Sequence, residues 1–181
     1  MKRSSIWFLP ALILVGLLPV SSLFAATVGE PAPAFELPDQ NGEAHALEDF
    51  RGKWLVVFFY PKADTPGCTT EACNFRDNIY AIRAAGAEVV GISVDSVAEQ
   101  KKFADKYALP FTILSDSGGK TCEDYGVLRS FGSREIANRE SFLVDPDGIV
   151  VKHYEQVSPD NHTQEVIADL KRFGSAMTSW V

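Results

Sequence analysis

Cys68 lies in a stretch whose residue types favour a nucleophilic sulfur: Pro61-Lys62-Ala63-Asp64-Thr65-Pro66-Gly67-Cys68-Thr69-Thr70-Glu71-Ala72-Cys73. Pro61, Pro66 and Gly67 break regular structure. From Cys68 onward Ala72, Phe75, Ile79, Ile82 and Arg83 recur at helical spacing, which places Cys68 near the first turn of a helix. First-turn amide N–H groups lack intrahelical partners and carry partial positive charge, so they favour a thiolate, the reactive form of cysteine, over a thiol. A small buried residue is the alternative for Cys68, but Thr65, Thr69 and Thr70 make its surroundings polar. On these residues alone Cys73 reads equally as a reactive thiol or as a core position on the same helix. Thr65 can close the turn through its hydroxyl. Glu71 suits a first-turn acid favoured by the helix dipole. Arg139 reads as a strand charge, and Cys122 as packing in a short helix.

Composition narrows the chemistry further. Three cysteines are too few for a disulfide scaffold, and neither a CxxC nor a paired Cys/His zinc spacing occurs. His45, His153 and His162 sit in unrelated contexts, so no Cys/His hydrolase motif is present. A formal charge of −7 repels nucleic acid. With 181 residues, 46% hydrophobic and 23% charged, the chain suits one compact domain.

The elements that must hold Cys68 follow from periodicity. Trp54-Leu55-Val56-Val57-Phe58-Phe59-Tyr60 is an unbroken β-branched and aromatic run, read as a strand buried on both faces. Ala87 to Val94 is a second such strand. Ser96 with Glu99 forms a capping-box pattern opening a helix that ends before Pro110, and Phe111 to Leu114 is a third strand. A short helix is expected near Thr121 to Tyr125. Arg139 to Val144 and Ile149 to Tyr154 form a hairpin turned by Asp145-Pro146-Asp147-Gly148, and Asn161 to Phe173 is a closing helix with a loosely held tail from Gly174. Ahead of the first long strand, Asp39-Gln40-Asn41-Gly42 predicts a short N-terminal hairpin. The sum is an α/β sandwich with a mixed central sheet flanked by helices.

Lys2-Arg3, the apolar run Ile6 to Leu18, and the small residues near Ala25-Ala26 have the order of an export signal, cut after Ala25. The domain then spans residues 26–181. The apolar segment from Ile6 is also long enough to remain as an uncleaved membrane anchor. Export predicts a periplasmic location, where disulfides persist and a redox pair needs a dedicated reductant.

Pro61, Thr65 and Cys68, with Cys73 five residues on, resemble the signature of the peroxiredoxins, and most closely the peroxiredoxin Q or bacterioferritin comigratory protein subgroup. Phe35 to Asp39, Leu114-Ser115-Asp116 and Arg139-Glu140-Ser141-Phe142-Leu143-Val144-Asp145 extend the resemblance over residues 28–173. It implies a thioredoxin-like fold and a thiol peroxidase acting on hydrogen peroxide and organic hydroperoxides, without metal or organic cofactor. Cys68 would be the peroxidatic residue and Cys73 the resolving one, joined as a redox disulfide that a thioredoxin-like protein reopens. Thr65 and Arg139 would hold the sulfur and the peroxide, with Pro61 and Glu71 supporting them, and the protein would be a monomer. A thiol-disulfide exchanger and a non-enzymatic peroxide sensor or holdase are the rival readings. Between Gly126 and Arg139 the chain departs from the subgroup, being shorter and lacking its polar-aromatic wording.

Overall fold

The computed structural model describes residues 25–178. The expected export segment therefore lies, but for Ala25, outside the described residues. Among those described, no helix is long and apolar enough to cross a membrane. In chain order the elements are β1 (Glu36–Pro38), β2 (Ala44–Ala46), a 3-10 turn (Leu47–Phe50), β3 (Trp54–Phe59), α1 (Pro66–Asp77), α2 (Ile79–Ala84), β4 (Ala87–Ser93) and α3 (Val97–Tyr107). They continue with β5 (Thr112–Ser115), α4 (Lys120–Asp124), β6 (Leu128–Phe131), β7 (Arg134–Ala137), β8 (Glu140–Val144), β9 (Val150–Tyr154) and α5 (His162–Thr178).

Five strands form one mixed sheet in the order β5-β4-β3-β8-β9. β3 and β5 run parallel to β4, whereas β8 is antiparallel to both β3 and β9. Every residue of β3 is buried, because its side chains alternate between two cores. Val56 and Phe58 join Phe75, Ile82, Phe103 and Leu170, so α1, α2, α3 and α5 cover one face. Val57 and Phe59 join Phe35, Cys122, Tyr125 and Ala137, so α4 and the smaller hairpins cover the other. Fully burying one such side chain contributes roughly 1.5–3 kcal/mol, which makes β3 the hardest part of the sheet to open. Gly91 faces Phe58 across the β3–β4 pair, and a Cβ there would lie 2.7 Å from the Phe58 ring, so the aromatic core requires glycine.

Local signals mostly hold. The capping box opens α3, with Glu99 N donating to Ser96 Oγ and Ser96 N donating to Glu99 Oε2. In the N-terminal hairpin, Asp39 Oδ1 accepts the N–H groups of Asn41 and Glu43 at 2.7 and 2.9 Å, fixing the turn. Three details differ. The helical run from Cys68 breaks at Asn78, whose side-chain amide donates to Asn74 O at 2.9 Å, so Ile79 and Ile82 belong to a second helix. The tail from Gly174 is not loose throughout, since α5 continues to Thr178. Residues 128–137, read only as a departure from the subgroup pattern, form the β6–β7 hairpin.

Candidate active site

Leaving β3, the chain passes through Pro61 to Asp64 and starts α1 with Thr65 as the capping residue and Pro66 at the first helical position. Proline costs nothing there because its missing N–H would have had no helical partner. Thr65 O accepts the first helical bond, from Thr69 N at 2.8 Å. Cys68 is thus the third helical residue, 2% exposed, with its sulfur at the positive end of the helix.

A second positive charge arrives from the sheet. Because β8 pairs antiparallel with β3, with Glu140 opposite Phe59, Arg139 stands beside the β3 exit. Arg139 Nη2 donates to Cys68 Sγ at 3.2 Å, and Nη1 donates to Glu71 Oε2, one turn beyond the cysteine. Gly67 makes the approach possible: a Cβ there would sit 3.1 Å from Nη2. Burial pushes the Glu71 carboxyl up to about 7 against the opposing pull of Arg139. Burial also works against the Arg139 cation, but the Glu71 carboxylate and the Cys68 sulfur outweigh it and raise its pKa. Arg139 is therefore a permanent cation aimed at sulfur, held in orientation by Glu71.

Thr65, Cys68 and Arg139 line one cleft of about 700 Å³. Its other side is the β6–β7 hairpin, which brings Phe131 and Ile136 to the cleft together with Arg129 and Arg134. Phe131 is 63% exposed. A small hydroperoxide fits easily, with room for an organic group against the hairpin. The sequence reading named this segment without giving it a structure; the Gly132-Ser133 pair, a two-residue turn signal between two short runs, was the available mark.

The remaining residues fall as follows. Thr65 Oγ1 donates to Lys62 O at 2.9 Å, closing the turn, and Thr65 is among the residues lining the cleft. Cys73 is partly buried in α1, and all three cysteines are free thiols. Five helical residues separate Cys68 from Cys73, roughly 9 Å between Cα atoms and about 140° around the axis. A disulfide needs under about 7 Å, so the pair does not meet while α1 is intact. Cys122 is fully buried in α4, where burial pushes its thiol far up and leaves it inert.

Sequence reading missed His162. It is fully buried, with Nε2 2.9 Å from Ser141 Oγ, two strand residues from Arg139, and its ring edge-on to Phe75 and Tyr154. Burial, reinforced by Lys152 and Arg139, lowers its pKa from 6.5 to about 4. The unfolded chain therefore binds a proton that the folded chain refuses, and the stability present above pH 6.5 is lost as pH falls towards 4. We expect the unfolding free energy from urea titrations to fall between pH 7 and pH 5, by up to about 1.4 kcal/mol per pH unit for this one proton. His162→Gln should flatten that slope, and identical acid slopes in both proteins would assign the loss to other groups.

Comparison with known proteins gives the family. Residues 28–153 match the model of the AhpC/TSA family. Peroxiredoxin Q, chloroplastic, of Sedum lineare is 46% identical over 150 residues, 81% of this chain and 80% of that protein. Peroxiredoxin Bcp of Escherichia coli (strain K12) is 44% identical over 147 residues, 79% of this chain and 94% of that one. Among solved structures, peroxidoxin BcpB of Mycobacterium tuberculosis superposes with a TM-score of 0.76 at 36% identity, covering 81% of this chain and 97% of that one. Xanthomonas campestris peroxiredoxin Q gives 0.76 at 32%, covering 82% and 98%. On the family model and these likenesses, the chain belongs to the AhpC/TSA family and, within it, to the peroxiredoxin Q/Bcp group.

Proposed function

We propose the following course for the thiol-dependent peroxidase reaction that this family performs. The Cys68 thiolate attacks one oxygen of a hydroperoxide, the O–O bond breaks, and the other oxygen leaves as water or an alcohol after taking a proton. Arg139 steadies both the sulfur anion and the charge moving onto the leaving oxygen, while Thr65 accepts the hydrogen of the peroxide O–H. Cys68 is left as a sulfenic acid. The Cys73 sulfur then displaces its hydroxyl as water, giving the intramolecular disulfide, and an external dithiol of thioredoxin type reduces it. The observation that carries this reading is the Arg139 Nη2 contact to Cys68 Sγ at 3.2 Å in a cleft with room for a peroxide. Repeated consumption of hydrogen peroxide and of an alkyl hydroperoxide, coupled to a dithiol donor, tests it. An exchanger would reduce protein disulfides without peroxide, and a sensor would react once.

The same reading makes α1 a moving part, since the Cys68–Cys73 bond requires its first turns to unwind. Tethers beyond Cys73, Asn74 Nδ2 to Pro159 O at 2.9 Å and Arg76 Nη1 to Tyr107 O at 2.8 Å, mark where the opening should end. On oxidation, amides 69–76 are expected to lose hydrogen-exchange protection while 54–60 keep theirs. Unchanged protection at 69–76 would sink this account.

The chain is further assigned to the exported compartment through residues 1–25, which N-terminal sequencing of the mature protein tests. It is assigned a monomeric state, which the mass of the mature protein in solution, read by light scattering, tests.

A further inference from the structure

Asp95 follows the end of β4, and its side chain is fully buried. It is nevertheless surrounded by donors. Oδ2 accepts the Ala63 backbone N–H at 2.7 Å and the Ser93 hydroxyl at 2.7 Å, while Oδ1 accepts Lys62 Nζ. The Ser93 oxygen in turn accepts from Gln100 Nε2 at 3.0 Å, whose second proton goes to Leu114 O and whose carbonyl accepts the Tyr60 hydroxyl. Ser115 Oγ donates to Asp95 O at 2.6 Å. One carboxylate therefore ties the carboxyl ends of β3, β4 and β5 to the loop that carries the reactive helix.

That loop needs holding. Asp64 has φ +60, a left-handed conformation unusual for a residue with a side chain, and such strain persists only where surroundings over-determine it. Lys106 Nζ and Tyr107 Oη clasp the Asp64 carboxylate at 2.8 and 2.7 Å from outside, while Asp95 holds Ala63 from inside. Thr65 Oγ1 donates to the carbonyl of Lys62, whose ammonium is held by Asp95 and by Glu99 at 2.7 Å. Among the described residues, Asp95 is the one buried carboxylate that reaches this loop.

We propose that Asp95 is a positioning residue for peroxide reduction: by gripping Ala63 N–H and Lys62 it fixes the Pro61–Thr65 loop, so that Thr65 and the start of α1 return to register with Arg139 after each unwinding. The proposal rests on Cys68 being the nucleophile. A misplacement of about 1 Å at a reacting group can cost about a hundredfold, so loosening this loop should tell on the chemical step.

The test compares Asp95→Ala with Asp95→Asn, since Asn retains an acceptor for Ala63 N–H and both variants lose the charge pair with Lys62. Three quantities are read: the second-order rate of Cys68 oxidation by hydrogen peroxide, the rate of Cys68 alkylation by iodoacetamide, and hydrogen exchange at Ala63 to Thr65. Asp95→Ala is expected to lose about tenfold or more in the peroxide rate, with faster exchange at Ala63. Its alkylation, which needs a thiolate but no peroxide alignment, should change far less. Asp95→Asn should recover most of the loss. A peroxide rate in Asp95→Ala within twofold of the parent, equal losses in both variants, or parallel falls in oxidation and alkylation would overturn the proposal. Should Asp95→Ala fail to fold, Ser93→Ala frees the same carboxylate oxygen and should lower the peroxide rate selectively; an unchanged rate there is equally fatal. If parent protein showed peroxide oxidising a sulfur other than Cys68, the assignment of the nucleophile would fall instead.

Discussion

Cys68→Ser is expected to abolish peroxide turnover, a loss of at least about 10³-fold, because a serine hydroxyl near neutral pH supplies almost no anion to attack the O–O bond. The helix terminus and Arg139 Nη2 face the atom at this position, but neither can make a serine alkoxide abundant. Cys73→Ser should behave quite differently. Its Cys68 still stands 3.2 Å from Arg139 Nη2 and still reacts once, since the first step does not involve the second thiol. The variant should consume one equivalent of peroxide, accumulate sulfenic acid, and pass on to sulfinic acid under excess oxidant. Mass spectrometry of the intact protein distinguishes one added oxygen from two. Normal turnover of Cys73→Ser with a thioredoxin-type donor would show Cys73 to be structural, and steady turnover of Cys68→Ser would remove the basis of the mechanism.

Arg139→Lys should also damage the first step, though less than loss of the sulfur, despite keeping the charge. The guanidinium reaches two groups at once from one rigid plane, Cys68 Sγ through Nη2 and Glu71 through Nη1. A lysine ammonium is a point charge on a flexible stem, and in this position it satisfies Glu71 more readily than it aligns on sulfur and leaving oxygen together. Losing one preorganised donor of this kind costs about 10²–10³-fold in rate, so a fall of about a hundredfold in Cys68 oxidation is expected. Glu71→Gln is the informative companion. It removes the charge but keeps an oxygen that can accept Arg139 Nη1, so the guanidinium stays oriented and a far smaller effect is expected. Stopped-flow oxidation across pH reads both. An Arg139→Lys rate equal to the parent throughout would reduce Arg139 to a packing residue.

The chemistry of Cys68 was legible because it depends on short-range features. The hydrophobic run of β3, the Pro and Gly residues after it, and the helical spacing from Cys68 all lie between Trp54 and Arg83, and each acts through backbone preference or burial. The same holds for the Ser96 and Glu99 capping box and for the Asp39 turn. The resemblance to known peroxiredoxins then supplied Arg139 and Cys73, which local physics left open. The break at Asn78 escaped because it turns on a single side-chain bond to Asn74, against a periodicity that continues across it.

By itself, then, the sequence determined a cysteine at a helix start, the strand before it, and the α/β class, since these follow from patterns that neighbouring residues impose on one another. Tertiary structure alone decided that Arg139 reaches Cys68 across a separation of 71 residues, that the β6–β7 hairpin borders the cleft, and that Asp95 grips the loop below it from 32 residues away. The first and last are set by strand order and register in the sheet, and the second by where a separate two-stranded hairpin packs against it. Register is a cooperative choice among all five strands, so it leaves no periodic mark on the short segments that it brings together.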